Sequence, residues 1–122
     1  MADLNTSSDV IIKARREGDV VVIAVRGEID LHNSPGLRTD ILDLLNRNPC
    51  RRLVLNLAEV PYMDSSAAAV LVEAMQKLRR VGGQVYLTNL QPRVQSILNI
   101  NKLASLFVIV PTEKDALPAP PT

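Results

Sequence analysis

The sequence places two serines and a carboxylate where a buried strand gives way to a helix. Residues 53–57 form an apolar run typical of a buried strand, and residues 67–71 open a long amphipathic helix. Asp64, Ser65 and Ser66 stand between them, so both hydroxyls fall on the first helical turn. The free N–H groups and partial positive charge of that turn can hold a phosphate without melting the helix. The chemistry that this pattern allows is phosphorylation of a serine.

The same three residues also fit a purely structural role. A short side-chain oxygen at the N-cap accepts a hydrogen bond from the second or third amide of a helix, and Asp and Ser are favoured there. Asp64 as the cap, followed by Ser65 and Ser66, therefore requires no function. The residues alone leave both interpretations open.

Composition narrows the function classes. The chain has 122 residues, is 47% apolar and carries a formal net charge of +1, which fits one domain with a sizeable core. Near-neutral charge argues against nucleic acid or an anionic membrane as the main partner. The sequence has only two Tyr, one Phe and no Trp, which argues against aromatic ligand boxes. With no bilayer-length apolar run and no signal peptide pattern, we expect a cytoplasmic protein.

Single cysteine and histidine residues exclude several kinds of site. Cys50 is the only cysteine, so an intramolecular disulfide is excluded, and we expect an inert thiol although two arginines follow it. His32 is the only histidine, which excludes multi-histidine metal sites. No Gly-x-Ser-x-Gly motif surrounds Ser65. We therefore expect no metal, no cofactor and no enzymatic activity.

Strand and helix patterns alternate along the chain. Strands are predicted at residues 11–16, 20–25, 53–57, 84–88 and 106–110, and helices begin near residues 34, 65 and 92. This order predicts an α/β domain over residues 11–110 with a central mixed sheet of four to five strands and three to four helices. We expect residues 1–10 to be flexible and the proline-rich residues 111–122 to be a disordered tail.

Two loops follow strands of the predicted sheet, and such loops usually carry the site in α/β folds. One contains Glu28, Asp30, His32 and Asn33; the other leads to Asp64. Two carboxylates without a third ligand make a weak metal site, so we favour partner contact or loop hydrogen bonding for Glu28 and Asp30. For His32 and Asn33, partner contact and turn chemistry both remain open.

Three segments together resemble the STAS domain, and within it the small stand-alone anti-sigma factor antagonists of bacterial partner-switching systems. They are Gly-Glu-Ile-Asp at residues 27–30, the strand at residues 53–57, and Met-Asp-Ser-Ser at residues 63–66. The order of elements also agrees, so the resemblance covers residues 11–110. One departure is the alanine run at residues 67–69, where the family pattern usually continues Gly-x-Gly.

The resemblance implies a specific function. Ser65 would be phosphorylated by a partner that is both a serine kinase and an anti-sigma factor, with Ser66 as the second candidate. The unphosphorylated chain would bind that partner and free a sigma factor, and a serine phosphatase would reset the switch. The implied partner-binding residues are Glu28, Asp30, His32, Asn33, Tyr62, Met63, Asp64, Ser66 and Ala67.

Further partners and an alternative function complete these expectations. No nucleic acid and no membrane are expected as partners, and a weak homodimer is left open. The alternative function is a constitutive STAS subunit of a lipid-transport or stressosome-like assembly, in which the same fold packs permanently on other subunits.

Overall fold

The structure, a computed structural model, describes residues 2–6 and 8–118. Its centre is a six-stranded sheet in which the strands follow one another in chain order. The strands are β1 (Ala2–Leu4), β2 (Ile11–Glu17), β3 (Val20–Arg26), β4 (Arg52–Glu59), β5 (Gln84–Thr88) and β6 (Val108–Val110). The helices are α1 (Ser34–Arg47), α2 (Ser65–Arg79), α3 (Pro92–Ile100) and α4 (Glu113–Ala116), with a 3₁₀ turn at Ala104–Leu106.

The sheet is mixed, as the order of elements predicts. β1, β2 and β3 pair antiparallel, whereas β3, β4, β5 and β6 pair parallel. Parallel neighbours need a crossover connection, and α1, α2 and α3 supply one between successive strands. The α/β fold class is confirmed, with six strands in place of the four to five predicted.

Alternate residues of the central strands pack on opposite faces of the sheet. On the first face, Leu53 and Leu55 of β4 join the main core with the apolar stripes of α1 and α2. On the second face, Val54 packs with Val20 and Val22 of β3. Both faces are covered, so β4 reads in sequence as a continuous apolar run.

The helices begin and end near their predicted positions. The predicted apolar face of each of the first two helices is buried. In α1 it consists of Leu37, Ile41, Leu44 and Leu45. In α2 it consists of Ala67, Val70, Leu71, Ala74, Met75 and Leu78. α2 is followed by Gly82, whose φ of 75° suits the left-handed turn after a helix. A cap at Ser34 would make Pro35 the first helical residue. In the structure α1 begins at Ser34 itself and Asn33 is the N-cap, so the helix starts one residue earlier than predicted.

The structure differs from the sequence prediction at both ends of the chain. Residues 1–10 were expected to be flexible, but Ala2–Leu4 form β1 and pair with β2. Residues 111–122 were expected to be disordered, but Glu113–Ala116 form α4 and Ala116 is fully buried. Arg52 donates a hydrogen bond of 2.8 Å to the Ala116 carbonyl. Met1, Ser7 and residues 119–122 lie outside the described residues.

Candidate functional site

Asp64 caps the helix that carries the two serines. Its Oδ1 atom accepts hydrogen bonds from the Ser66 amide at 2.9 Å and the Ala67 amide at 3.3 Å. The backbone of Asp64 is extended, with φ of −98° and ψ of −174°, as an N-cap requires. The predicted cap is therefore confirmed, and Ser65 is the first residue of α2.

The Asp64 carboxylate accepts two further hydrogen bonds. The Ser66 hydroxyl donates to Oδ1 at 2.5 Å, and the Leu31 amide donates to Oδ2 at 3.2 Å. The hydrogen bond from the Ser66 hydroxyl, together with those from backbone amides, lowers the pKa of Asp64 despite some desolvation. Both carboxylate oxygens are thus engaged by donors in the ionised form, which makes Asp64 a fixed cap rather than a free base.

The two serines have different surroundings. Ser65 is exposed, whereas Ser66 is half-buried and its hydroxyl is bonded to Asp64. Ser66 also accepts a hydrogen bond of 2.9 Å from the hydroxyl of buried Ser34, the first residue of α1. Within residues 2–6 and 8–118, no side-chain hydrogen bond engages the Ser65 hydroxyl. Ser65 therefore carries the more accessible of the two hydroxyls.

The loop between β3 and α1 is shaped by its own polar side chains. Asp30 accepts a hydrogen bond from the His32 amide at 2.9 Å. Asn33 accepts one from the Asp30 amide and donates one to the Glu28 carbonyl, both at 2.9 Å. Turn chemistry thus accounts for Asp30 and Asn33, while Glu28 and His32 present exposed side chains.

The two predicted site loops are joined by backbone hydrogen bonds. Ile29 and Met63 form a parallel bridge. The Ile29 amide donates to the Tyr62 carbonyl at 3.1 Å, and the Asp64 amide donates to the Ile29 carbonyl at 3.0 Å. The loops at the carboxyl ends of β3 and β4 therefore form one surface, with Ser65 at its edge.

Two of the predicted partner-binding residues face the core. Met63 and Ala67 are 2% and 1% exposed, so their side chains cannot contact a partner across this surface. The prediction for these two side chains is wrong because neighbours in sequence point to different sides of a loop or helix. Tyr62 is half-buried, and the Arg93 guanidinium lies 4.5 Å from its ring centroid.

Leu31 is an exposed residue of this surface that the sequence analysis did not single out. Its side chain is 74% exposed, although its backbone amide is bonded to Asp64. The sequence carried no signal for it, because single exposed apolar residues are common on protein surfaces.

A groove of about 740 Å³ runs along α2 from Ser65. Its walls include Ala68, Ala69 and Val72 of α2, and Leu42 of α1. Alanines stand at positions 67 and 69, where the family pattern usually has glycine. Ala67 is buried, whereas Ala69 is exposed in this groove.

Over residues 2–6 and 8–118, no three side chains of His, Cys, Asp or Glu cluster as metal ligands would. In the same part of the chain, no helix has the length and apolar character needed to cross a membrane.

Comparison with known proteins agrees with the motifs and the fold. Residues 12–116 match the STAS domain. The chain is 30% identical to the anti-sigma-B factor antagonist of Bacillus subtilis over 87% of this chain and 92% of that protein. It is 26% identical to the anti-sigma F factor antagonist of Paenibacillus polymyxa over 87% and 91% of the two chains. The structure of the anti-sigma factor antagonist SpoIIAA in its unphosphorylated form superposes with a TM-score of 0.73 at 25% identity, covering 84% of this chain and 90% of SpoIIAA. This chain belongs to the STAS domain family.

Proposed function

We propose that this chain is an anti-sigma factor antagonist that is controlled by phosphorylation of Ser65. The observation that carries the proposal is the exposed Ser65 hydroxyl on the first turn of α2, beside a carboxylate that is already fully engaged. The relatives named as antagonists of anti-sigma factors support the same function. The partner is then an anti-sigma factor, which releases a sigma factor in the bacterial cytoplasm when this chain binds it.

Phosphorylation would change the charge of the surface without changing the fold. A phosphoryl group adds about −1.5 to −2 charge at neutral pH. On Ser65 it would lie at the amino end of α2, where the helix dipole favours negative charge. The Asp64 carboxylate and the exposed Glu28 are part of the same joined loops. A partner that fits the unmodified surface would then meet added like charge and lose affinity.

The phosphoryl group would come from ATP through a serine kinase, which we identify with the anti-sigma factor itself. The Ser65 oxygen forms a bond to the γ-phosphorus as the bond to ADP breaks, and ADP leaves. The hydroxyl proton passes to a base of the kinase, because both Asp64 oxygens accept hydrogen bonds from this chain. A serine phosphatase would hydrolyse the phosphoserine and restore the binding form.

This chain would therefore act as a binding protein and as the substrate of two enzymes. Its exposed apolar Leu31, the polar loop around Asp30 and the edge at Ser65 form a surface suited to a protein partner. The constitutive-subunit alternative uses the same fold but requires a complex that phosphorylation does not change.

Calorimetric titration against the purified anti-sigma factor of the host tests the proposal. Ser65→Ala should bind like the wild type and lose its sensitivity to ATP. Ser65→Asp should bind at least about tenfold more weakly, which corresponds to about 1.4 kcal/mol. Ser96→Asp adds the same charge at an exposed serine of α3 and should bind like the wild type. Equal affinities for the phosphorylated and unphosphorylated chain would refute the switch and support a constitutive subunit.

A further inference from the structure

Ser34 connects the first turn of α1 to the first turn of α2. Ser34 is only 3% exposed, and its hydroxyl donates a hydrogen bond of 2.9 Å to the Ser66 hydroxyl. Its own amide donates to the Asp30 carbonyl at 2.8 Å, which fixes Ser34 at the start of α1. A buried hydroxyl held by the backbone in this way has a defined direction, and that direction is toward Ser66.

The Ser66 hydroxyl is consequently held from two sides. It accepts from Ser34 and donates its single proton to Asp64 at 2.5 Å. A hydrogen bond to a carboxylate is stronger than one between neutral groups. A phosphoryl group on Ser66 would remove this donor and bring a second negative charge against the Asp64 carboxylate. Ser66 is therefore a poor acceptor as long as this arrangement persists.

We propose that Ser34 is a positioning residue that keeps the Ser66 hydroxyl on Asp64 and thereby confines phosphorylation to Ser65. The identity of the modification rests on the proposed function; the orientation of Ser66 does not. Adjacent serines are otherwise equivalent in chemistry, and a kinase that reaches one residue of an exposed turn can reach its neighbour. The hydrogen bonds from Ser34 to Ser66 and from Ser66 to Asp64 make the two adjacent serines different.

The orientation of Ser66 can be measured without a kinase. Three-bond Hα–Hβ couplings in the wild-type chain should show one χ1 rotamer for Ser66 and averaged rotamers for Ser65. Ser34→Ala should average the Ser66 couplings. Thr39→Ala, which removes another α1 hydroxyl that donates to the Pro35 carbonyl of the same helix, should leave them unchanged. Averaged Ser66 couplings in the wild type, or fixed couplings in a folded Ser34→Ala, overturn the proposal.

The choice of acceptor is measured by phosphopeptide mapping with radiolabelled ATP and the host kinase fraction that phosphorylates the wild type. The wild type should carry label on Ser65, and Ser65→Ala should carry only trace label, on Ser66. Adding Ser34→Ala to Ser65→Ala should raise labelling of Ser66 at least about tenfold, the ratio expected for one hydrogen bond of about 1.4 kcal/mol. Adding Thr39→Ala to Ser65→Ala should leave the labelling of Ser66 unchanged.

The outcomes separate this proposal from the proposed function. Strong Ser66 labelling in Ser65→Ala alone, or none in the double variant with Ser34→Ala, overturns the role of Ser34 while leaving Ser65 as the acceptor. No labelling of the wild type by any host fraction refutes the proposed switch, and the coupling measurement then decides the role of Ser34. If Ser34→Ala does not fold, averaged wild-type couplings of Ser66 still overturn the role of Ser34.

Discussion

Glu113 and Arg15 are 98 positions apart in the chain, and their side chains form an ion pair of 2.6 Å across the second face of the sheet. The other Glu113 oxygen accepts a hydrogen bond of 2.9 Å from the Asn56 side chain. These contacts hold the amino end of α4, and the buried Ala116 follows three residues later. Residues 112–118, the C-terminal segment, therefore belong to the folded domain.

Glu113→Ala should destabilise the protein. The change leaves the Arg15 guanidinium, whose side chain is 16% exposed, without one of its two carboxylate partners and the Asn56 amide without its acceptor. We expect a loss of about 1–3 kcal/mol in the free energy of unfolding, measured with urea. Lys114→Ala changes the exposed next residue and should stay within about 0.5 kcal/mol. Equal stabilities for the two variants would mean that the ion pair contributes nothing.

The contribution of Glu113 should also depend on pH. Burial opposes ionisation of this carboxyl, but hydrogen bonds from Asn56 and Arg15 outweigh it, so the pKa of Glu113 is below its ordinary value. A lowered pKa in the folded state stabilises the protein above the unfolded pKa of about 4.3, and this stabilisation is lost as the pH falls through the folded pKa. The difference in unfolding free energy between wild type and Glu113→Ala should be constant from about pH 7 to pH 5 and shrink below that. Urea titrations across this range would contradict the ion pair if the difference grew on acidification.

The two serines of the site should differ in their effect on stability. Ser66→Ala removes the hydroxyl that accepts from buried Ser34 and a donor to Asp64, and we expect a loss of about 1–3 kcal/mol. Ser65→Ala removes an exposed hydroxyl from the first turn and should stay within about 0.5 kcal/mol. Urea unfolding of the two variants side by side measures the difference, and a reversed order would refute the hydrogen-bond arrangement.

The central elements could be predicted from the sequence because their signals are local. Apolar runs and helical stripes identified β3, β4, α1 and α2, and the capping chemistry of Asp64 identified the start of α2. The position of the two site loops followed from the parallel order of the strands. Periodicity also put Ala67 in the buried stripe of α2, which argues against its predicted role in partner binding.

The missed features depend on contacts between distant parts of the chain. α4 has four residues and no apolar stripe, and its position is fixed by Arg15 on β2 and by Asn56 and Arg52 on β4. β1 is an edge strand of only three residues, Ala-Asp-Leu, which is too short for a period-two pattern to predict its pairing with β2. The hydrogen bond between Ser34 and Ser66 likewise joins residues that are 32 positions apart and lie on two different helices.

Leu55→Ala tests the buried centre of the sheet. Leu55 is fully buried on β4, between partners on β3 and β5. Removing its side chain should cost about 2–5 kcal/mol, because a cavity forms among close-packed neighbours. Urea unfolding measures this cost, with Val81→Ala, at a 54% exposed position after α2, as a control expected within about 0.5 kcal/mol. A cost near that of the control would place β4 outside the core.

Leu31→Ala tests whether the exposed loop beside Asp64 is part of the partner surface. The side chain is 74% exposed, so its loss should leave the free energy of unfolding within about 0.5 kcal/mol. Burial of a leucine against a partner contributes about 1.5–3 kcal/mol, so affinity for the anti-sigma factor should fall about tenfold or more. Calorimetric titration of the unphosphorylated chain measures it.

Val81→Ala is the matched control for this binding experiment. Val81 is an exposed aliphatic residue like Leu31, but it follows the far end of α2, a helix of 15 residues. At 1.5 Å per residue the helix separates the two by roughly 22 Å, beyond the roughly 16 Å radius of a circular patch of about 800 Å² centred on Leu31, so Val81→Ala should bind like the wild type. If Leu31→Ala also binds like the wild type, the loop at residues 28–33 lies outside the interface, and the apolar contact has to come from the groove along α2. If both variants lose affinity equally, the effect does not report a local surface.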